Sequence, residues 1–108
     1  MTPNEYQMKA KTFDLYPSVT SWLCHSLGLA SEAGEVAGKI KKLVRDKDGY
    51  CGPEDAAKVA DELGDCLWYI AMLAHDFKIP LGQIMRENIE KLTDRAIRGK
   101  IGGSGDNR

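Results

Sequence analysis

Histidine and cysteine are scarce in this chain of 108 residues, which has two of the first and three of the second. His25 and His75 lie far apart and neither has a helical partner histidine, which speaks against a histidine-based metal site. The cysteines are odd in number and include no C-x-x-C pair, so neither a disulfide framework nor a zinc site is expected. Cys66 falls on an apolar helical stripe and Cys24 sits among apolar neighbours, and both read as small hydrophobes. Also missing is any run near the ~18 uninterrupted apolar residues of a membrane span. Met1 to Met8 carry no apolar segment of the signal-peptide kind. A soluble, cytoplasmic protein without a membrane partner is therefore expected. Nor is there an excess of charge of one sign: 15 basic against 16 acidic residues give a formal net charge of −1. A nucleic-acid binder is more often distinctly basic, so no nucleic-acid partner is expected.

β-Alternation of useful length is absent as well, and what is present is helical periodicity. Thr2 followed by Glu5, with Pro3 between them, resembles a capping box at the start of a first helix. Tyr6, Ala10 and Phe13 recur at helical spacing along it, and Pro17 interrupts it. A second helix is predicted from near Ser21 to Asp46. Its apolar stripe is Leu29, Ala33, Val36, Ala37, Ile40, Leu43 and Val44, and the Asp48-Gly49 turn signal ends it. Pro53 opens a third helix, with Glu54 and Asp55 in its first turn, where the helix dipole favours acids. Its stripe is Val59, Leu63, Cys66, Leu67, Ile70, Leu73 and Ala74, and Ile79-Pro80 breaks it. A fourth helix carries Leu81, Ile84, Met85, Ile89, Leu92 and Ala96 and fades at Gly99. The fold class is all-α. A single domain over 1–101 precedes a Gly-rich tail over 102–108, flexible by composition. A domain this small buries only roughly two thirds of its unfolded surface, so helices with wide apolar stripes gain from a second copy.

Two segments share one form. Glu32-Ala33-Gly34-Glu35 lies in the second helix and Glu62-Leu63-Gly64-Asp65 in the third. Each places two acids at i and i+3, about 60° apart around the helix, so each pair projects from one side. The acids flank the apolar stripes. If the two helices pack antiparallel through those stripes, four carboxylates converge beside the seam. Two carboxylates about 5 Å apart repel by roughly 3 kcal/mol at an effective dielectric of 20, and a divalent cation removes that penalty. Oxygen ligands favour magnesium or manganese over zinc. Gly34 and Gly64 each cost about 1 kcal/mol against alanine, which implies either close backbones or open space above them. Acidic i, i+3 pairs are also common on solvated helix faces, so a helical interaction module with solvated acids stands beside the metal-site reading.

These motifs resemble the E-x-x-E … E-x-x-D pattern of the all-α nucleoside triphosphate pyrophosphohydrolase superfamily, and most of all its small MazG-like members. The likeness covers nearly the whole chain. It is carried by Asn4-Glu5-Tyr6-Gln7, by Gly28-Leu29-Ala30-Ser31-Glu32-Ala33-Gly34-Glu35-Val36, and by Asp61-Glu62-Leu63-Gly64-Asp65-Cys66-Leu67-Trp68-Tyr69-Ile70. Asn88-Ile89-Glu90-Lys91-Leu92-Thr93-Asp94-Arg95 and the ending Gly103-Ser104-Gly105-Asp106-Asn107-Arg108 extend it.

The resemblance implies a four-helix MazG-like bundle completed by dimerisation, as a dimer or a dimer of dimers. It implies magnesium-dependent hydrolysis of a (deoxy)nucleoside triphosphate to the monophosphate plus pyrophosphate, with manganese able to substitute. Glu32, Glu35, Glu62 and Asp65 are then the metal ligands and catalytic acids, with either Glu32 or Glu35 as the group that takes the water's proton. Tyr69 would line the nucleotide pocket, and Asn88, Lys91 and Arg95 would contact sugar and phosphates. A related activity on dUTP, dCTP or phosphoribosyl-ATP is the neighbouring alternative. The tail is either a disordered terminus or a flap closing over bound phosphate through its backbone N–H groups. Trp22 and Trp68 read as core or interface residues.

Overall fold

The computed structural model describes residues 1–99 and 102–105, which form four helices and no strand. They are α1 (Pro3–Lys11), α2 (Ser21–Lys47), α3 (Pro53–Asp76) and α4 (Leu81–Ile97). The all-α expectation holds. No described helix is long and apolar enough to cross a membrane.

Local chemistry sets the boundaries. Thr2 Oγ1 accepts the Glu5 N–H at 3.1 Å, capping α1. The helix stops at Lys11 rather than reaching Phe13, because the Thr12 hydroxyl donates to the Lys9 carbonyl at 2.7 Å and Lys11 bridges to Asp14 at 2.9 Å. Phe13, expected on the buried face, therefore leaves the helix and is 74% exposed. Asp48 in the left-handed region (φ 52°) and Gly49 (φ 81°) end α2, with the Gly49 N–H on the Leu43 carbonyl at 3.0 Å. Pro80 precedes α4 and has no side chain to cap it, so α1 supplies the caps: Gln7 Oε1 accepts the Leu81 N–H at 3.0 Å and Asn4 Oδ1 the Gly82 N–H at 2.8 Å. The Gln7 amide also donates to the carbonyls of Ala71 and Ile79 at 3.1 and 3.0 Å.

The α2 and α3 helices form an antiparallel hairpin. Their cross-links step in opposite directions along the two chains: Lys47 with Asp55, Lys39 with Glu62, and His25 with Asp76. The α1 helix lies on α3, and α4 touches α1 and α3; the α4 backbone comes nowhere within 8 Å of α2. Ala10, Ala71, Met72 and Leu81 make the buried core where α1, α3 and the start of α4 meet, with Tyr6 and Trp68 packed on it. Trp68 thus sits at the core, as read from sequence, its indole N–H donating to the Ala10 carbonyl at 3.1 Å.

The apolar stripes are wider than the hairpin covers. On α2, Leu29, Val36 and Leu43 are half-buried, but Ala33, Ala37, Ile40 and Val44 are exposed. On α3, Val59, Cys66 and Leu73 face the seam while Leu63, Leu67 and Ile70 remain exposed. Two packed helices cover one narrow ridge each, with a heptad-like repeat, so the rest of each stripe stays bare in a single protomer. The radius of gyration is 16.6 Å, against about 13 Å for a compact chain of this length.

Candidate functional site

The hairpin brings Glu32 of α2 to Glu62 and Asp65 of α3, and an oxygen from each lies within 4.8 Å of the others. The i, i+3 spacing turns both α3 acids toward α2, as the helical period requires. Glu35, one turn along α2, is exposed and stands outside this trio. Its charge still acts on Glu32, whose carboxyl is held above the ordinary range by burial first, then by a hydrogen bond with Glu62 and by the charges of Asp65, Glu62 and Glu35. A proton held on Glu32 is how this crowded carboxyl relieves the repulsion of its neighbours without a cation. An all-oxygen donor set at this spacing fits a hard divalent ion and does not fit zinc's usual nitrogen and sulfur ligands.

The matched glycines turn out to serve open space, not close backbones. A Cβ at Gly34, Gly38 or Gly64 would meet nothing within 4 Å. Close approach occurs instead at Gly28, where a Cβ would lie 2.1 Å from Cε1 of Tyr69. Beyond the acids toward the interhelical turn runs a groove of about 240 Å³, lined by Lys39, Lys42, Lys47 and Lys58 with Asp46 and Asp55. Lys39 Nζ lies 3.9 Å from Glu62, which joins this basic groove to the acidic trio.

On the other side of Glu32 is a cavity of about 370 Å³, lined by Tyr16, Cys24, Leu27, Gly28, Ser31, Glu32 and Tyr69. Tyr69 therefore borders the same space as a member of the trio. Its hydroxyl is 3.0 Å from that of Tyr16, on the segment between α1 and α2. The hydrogen bond with Tyr16, then burial and the charges of Glu32 and Asp65, push the Tyr69 phenol up to about 12. Behind Tyr16 lies a buried polar cluster. The His25 ring is fully enclosed, with Nδ1 2.5 Å from Asp76 and Nε2 3.2 Å from Asp14. Ser21 donates to the other oxygen of Asp76 at 2.8 Å. Burial opposes ionisation of Asp14, yet hydrogen bonds from Lys11, His25 and the Tyr16 backbone outweigh it and hold the carboxyl below its ordinary value. The two ring nitrogens point in opposite directions, so the cluster is a tie between segments rather than a cation cage.

Two of the residues expected on sugar and phosphates line a concavity separate from the one Glu32 borders. Asn88 and Lys91 are exposed on α4 and line a separate concavity of about 340 Å³ with Ile84 and Glu87. Arg95 is buried. No Cα of α4 lies within 8 Å of one in α2, and neither Asn88 nor Lys91 lines the cavity beside Glu32. The tail's Gly102–Gly105 stretch is exposed; the Asp106-Asn107-Arg108 ending proposed for phosphate lies outside the described residues. A concavity of about 710 Å³ along α1 and the end of α3 is lined by none of Glu32, Glu35, Glu62 and Asp65.

Tyr16, His25, Asp14, Asp76 and the lysine groove are the features that sequence reasoning passed over. Gly28 gave the one available signal, an isolated glycine inside a helical pattern just before the first acidic motif.

The comparisons with known proteins agree with the geometry. The family described as MazG nucleotide pyrophosphohydrolase domain matches residues 23–98, a span holding all four acids and Tyr69. The chain is 41% identical to the Gene 37 protein of Mycobacterium phage L5, over 95% of this chain and 96% of that one. No solved structure matches. With Glu32 facing Glu62 and Asp65 across one helical hairpin, and that domain spanning all three, the chain belongs to the MazG nucleotide pyrophosphohydrolase family.

Proposed function

We propose that the protein hydrolyses a nucleoside or deoxynucleoside triphosphate to the monophosphate plus pyrophosphate, using magnesium, for which manganese substitutes. The observation that carries this reading is the convergence of Glu32, Glu62 and Asp65 between a phenol-lined cavity and a lysine-lined groove. Glu32, Glu62 and Asp65 would hold the ion. When bound, it supplies charge neutralisation for the triphosphate and a more acidic water. Glu35, outside the trio on the same helix, is the carboxylate assigned to take the attacking water's proton. Lysines 39, 42 and 58 offer positive charge along the path of a polyphosphate leaving the trio. Tyr69 lines the space for the sugar and base.

The working form in this reading is a dimer. The bare halves of the α2 and α3 stripes, together with exposed Met85 and Ile89 on α4, give each protomer an apolar face suited to a second copy. Asn88 and Lys91 then reach phosphates across that contact.

The test is incubation with magnesium and a panel of canonical and deoxy triphosphates, dUTP and dCTP among them, with pyrophosphate and monophosphate assayed as products. Asp65→Asn is expected to lose both manganese affinity and turnover. Glu35→Gln is expected to keep manganese affinity within about threefold and to lose turnover by about 100-fold or more. No hydrolysis of any triphosphate by the wild type would overturn the function. Equal loss of metal binding in both variants would make Glu35 a ligand instead. Light scattering that finds only monomer at micromolar concentration would refute the dimer.

A further inference from the structure

The α1–α2 segment has no role in holding the acids, yet the fold spends its most buried polar side chains on fixing it. The Asp14 and His25 side chains are both 0% exposed, and Asp76 is 7% exposed. Three elements meet there: Asp14 from the segment, His25 from α2 and Asp76 from the end of α3. A buried arrangement of this kind is costly unless every polar atom is paired, and its geometric product is the placement of the residues beside Asp14. Asp14 Oδ1 also accepts the Tyr16 N–H at 3.2 Å. The Tyr16 ring stands edge-on to His25, 5.4 Å between centroids. Its phenol ends at the Tyr69 hydroxyl, on the wall of the cavity that Glu32 shares.

Tyr69 is equally fixed. The missing side chain at Gly28 admits its ring against the α2 backbone, and Trp68 meets it edge-on at 5.0 Å. Two phenols locked from separate elements thus stand side by side at one cavity. In such a pair one hydroxyl donates to the other. Either phenol can be the donor, which leaves one O–H to donate and lone pairs on both oxygens to accept. The other lining groups are small or apolar: Cys24, Leu27, Gly28 and Ser31. The volume of about 370 Å³ lies within the range of small-molecule sites.

We propose that Tyr16 is a specificity-determining residue for the nucleobase, that it reads the base edge together with Tyr69, and that His25 is the positioning residue that holds Tyr16 in place through Asp14. This rests on the nucleotide reading above. The triphosphate runs from Glu32 toward the lysine groove, so the nucleoside end lies on the Tyr16 side. A site built from paired hydrogen-bonding groups discriminates between bases more strongly than an apolar slot, because a mismatched edge leaves a polar atom unpaired.

The experiment is steady-state kinetics of wild type, Tyr16→Phe, Tyr16→Ala and His25→Gln over four triphosphates that differ only in base, with manganese affinity measured on each protein. Tyr16→Phe removes one hydroxyl and keeps the ring; it should change the ratio of kcat/KM between the best and worst base by about three- to tenfold. Tyr16→Ala should raise KM for every base by about tenfold or more, since a wall of the base site is gone. His25→Gln should raise KM as Tyr16→Ala does, while kcat at saturation and manganese affinity stay within about threefold. Breaking this buried cluster lowers the melting temperature on either account; a merely structural role for His25 would lower kcat and metal affinity as well, and would remove the positioning claim. Unchanged base ratios in Tyr16→Phe, with unchanged KM in Tyr16→Ala, would overturn the assignment while leaving the hydrolase reading intact. An inert wild type would overturn both.

Discussion

Gly28→Ala offers a sharp test of how Tyr69 is placed. The new methyl carbon would stand 2.1, 2.4 and 2.6 Å from three atoms of the Tyr69 ring, where carbon–carbon contacts settle near 3.5–4.0 Å. The ring must swing by more than about 1 Å, away from α2 and into the cavity. Forced repacking of this size costs about 1–3 kcal/mol, partly offset by about 1 kcal/mol gained on replacing a helical glycine. Gly38→Ala is the control, because a Cβ there meets nothing: it gains the same helix propensity without the clash. The two variants should therefore differ by about 1–3 kcal/mol. At roughly 4 °C or more per kcal/mol for a small domain, Gly28→Ala should melt at least about 4 °C below Gly38→Ala. Both must be measured at one protein concentration, since association shifts the midpoint. The swing also separates the Tyr69 hydroxyl from that of Tyr16, so KM for nucleotide should rise about tenfold in Gly28→Ala and not in Gly38→Ala. Equal melting temperatures and equal KM values would refute the packing argument.

Two further outcomes concern pH. The Asp14 carboxyl is held below its ordinary value of 3.8, so its contribution to stability is complete above that value and disappears as pH falls through the lower folded one. Asp14→Asn should cost about 3 kcal/mol near neutral pH, as expected when one partner of a buried charged cluster is removed. Its melting temperature should also fall less steeply than the wild type's below about pH 4; parallel acid limbs would sink the claim. Glu32 has the opposite sign. Its carboxyl lies above the ordinary 4.5, so the stability it contributes is present below that value and is lost as pH rises through the raised one. In chelator the melting temperature should therefore decline as pH rises from about 4.5 toward neutrality, and millimolar magnesium should abolish the decline. Identical slopes with and without the ion would contradict this account.

Much of this was legible from the sequence because helical order converts spacing directly into direction. Pro3, Pro53 and the Asp48-Gly49 turn mark helix boundaries through backbone geometry alone, and they fall where expected. The acids at 32, 62 and 65 converge because a period of 3.6 residues and an antiparallel hairpin leave them little choice. The stripes were read as apolar and wider than one small domain covers, but which side chains stay bare was not legible. A pattern of side chains records every surface that needs covering, without saying whether the same chain covers it. The His25 cluster had no periodic signal at all. Its partners lie 11 and 51 residues away, on separate elements, and only tertiary packing unites them. Phe13 was misplaced because apolar spacing continues past the point where Thr12 and Lys11 turn the chain aside.

The caps that α1 lends to α4 have a consequence for how the molecule is made. Gln7 and Leu81 are separated by 74 residues, whereas the hairpin between them closes through a short turn and needs neither end of the chain. Long-range closure is slow compared with such local pairing. The α4 helix must therefore dock late, and its docking depends on Asn4 and Gln7 of α1. Removing the residues up to Gln7, or fusing a rigid partner directly onto Thr2, would loosen α4 before disturbing the acidic site.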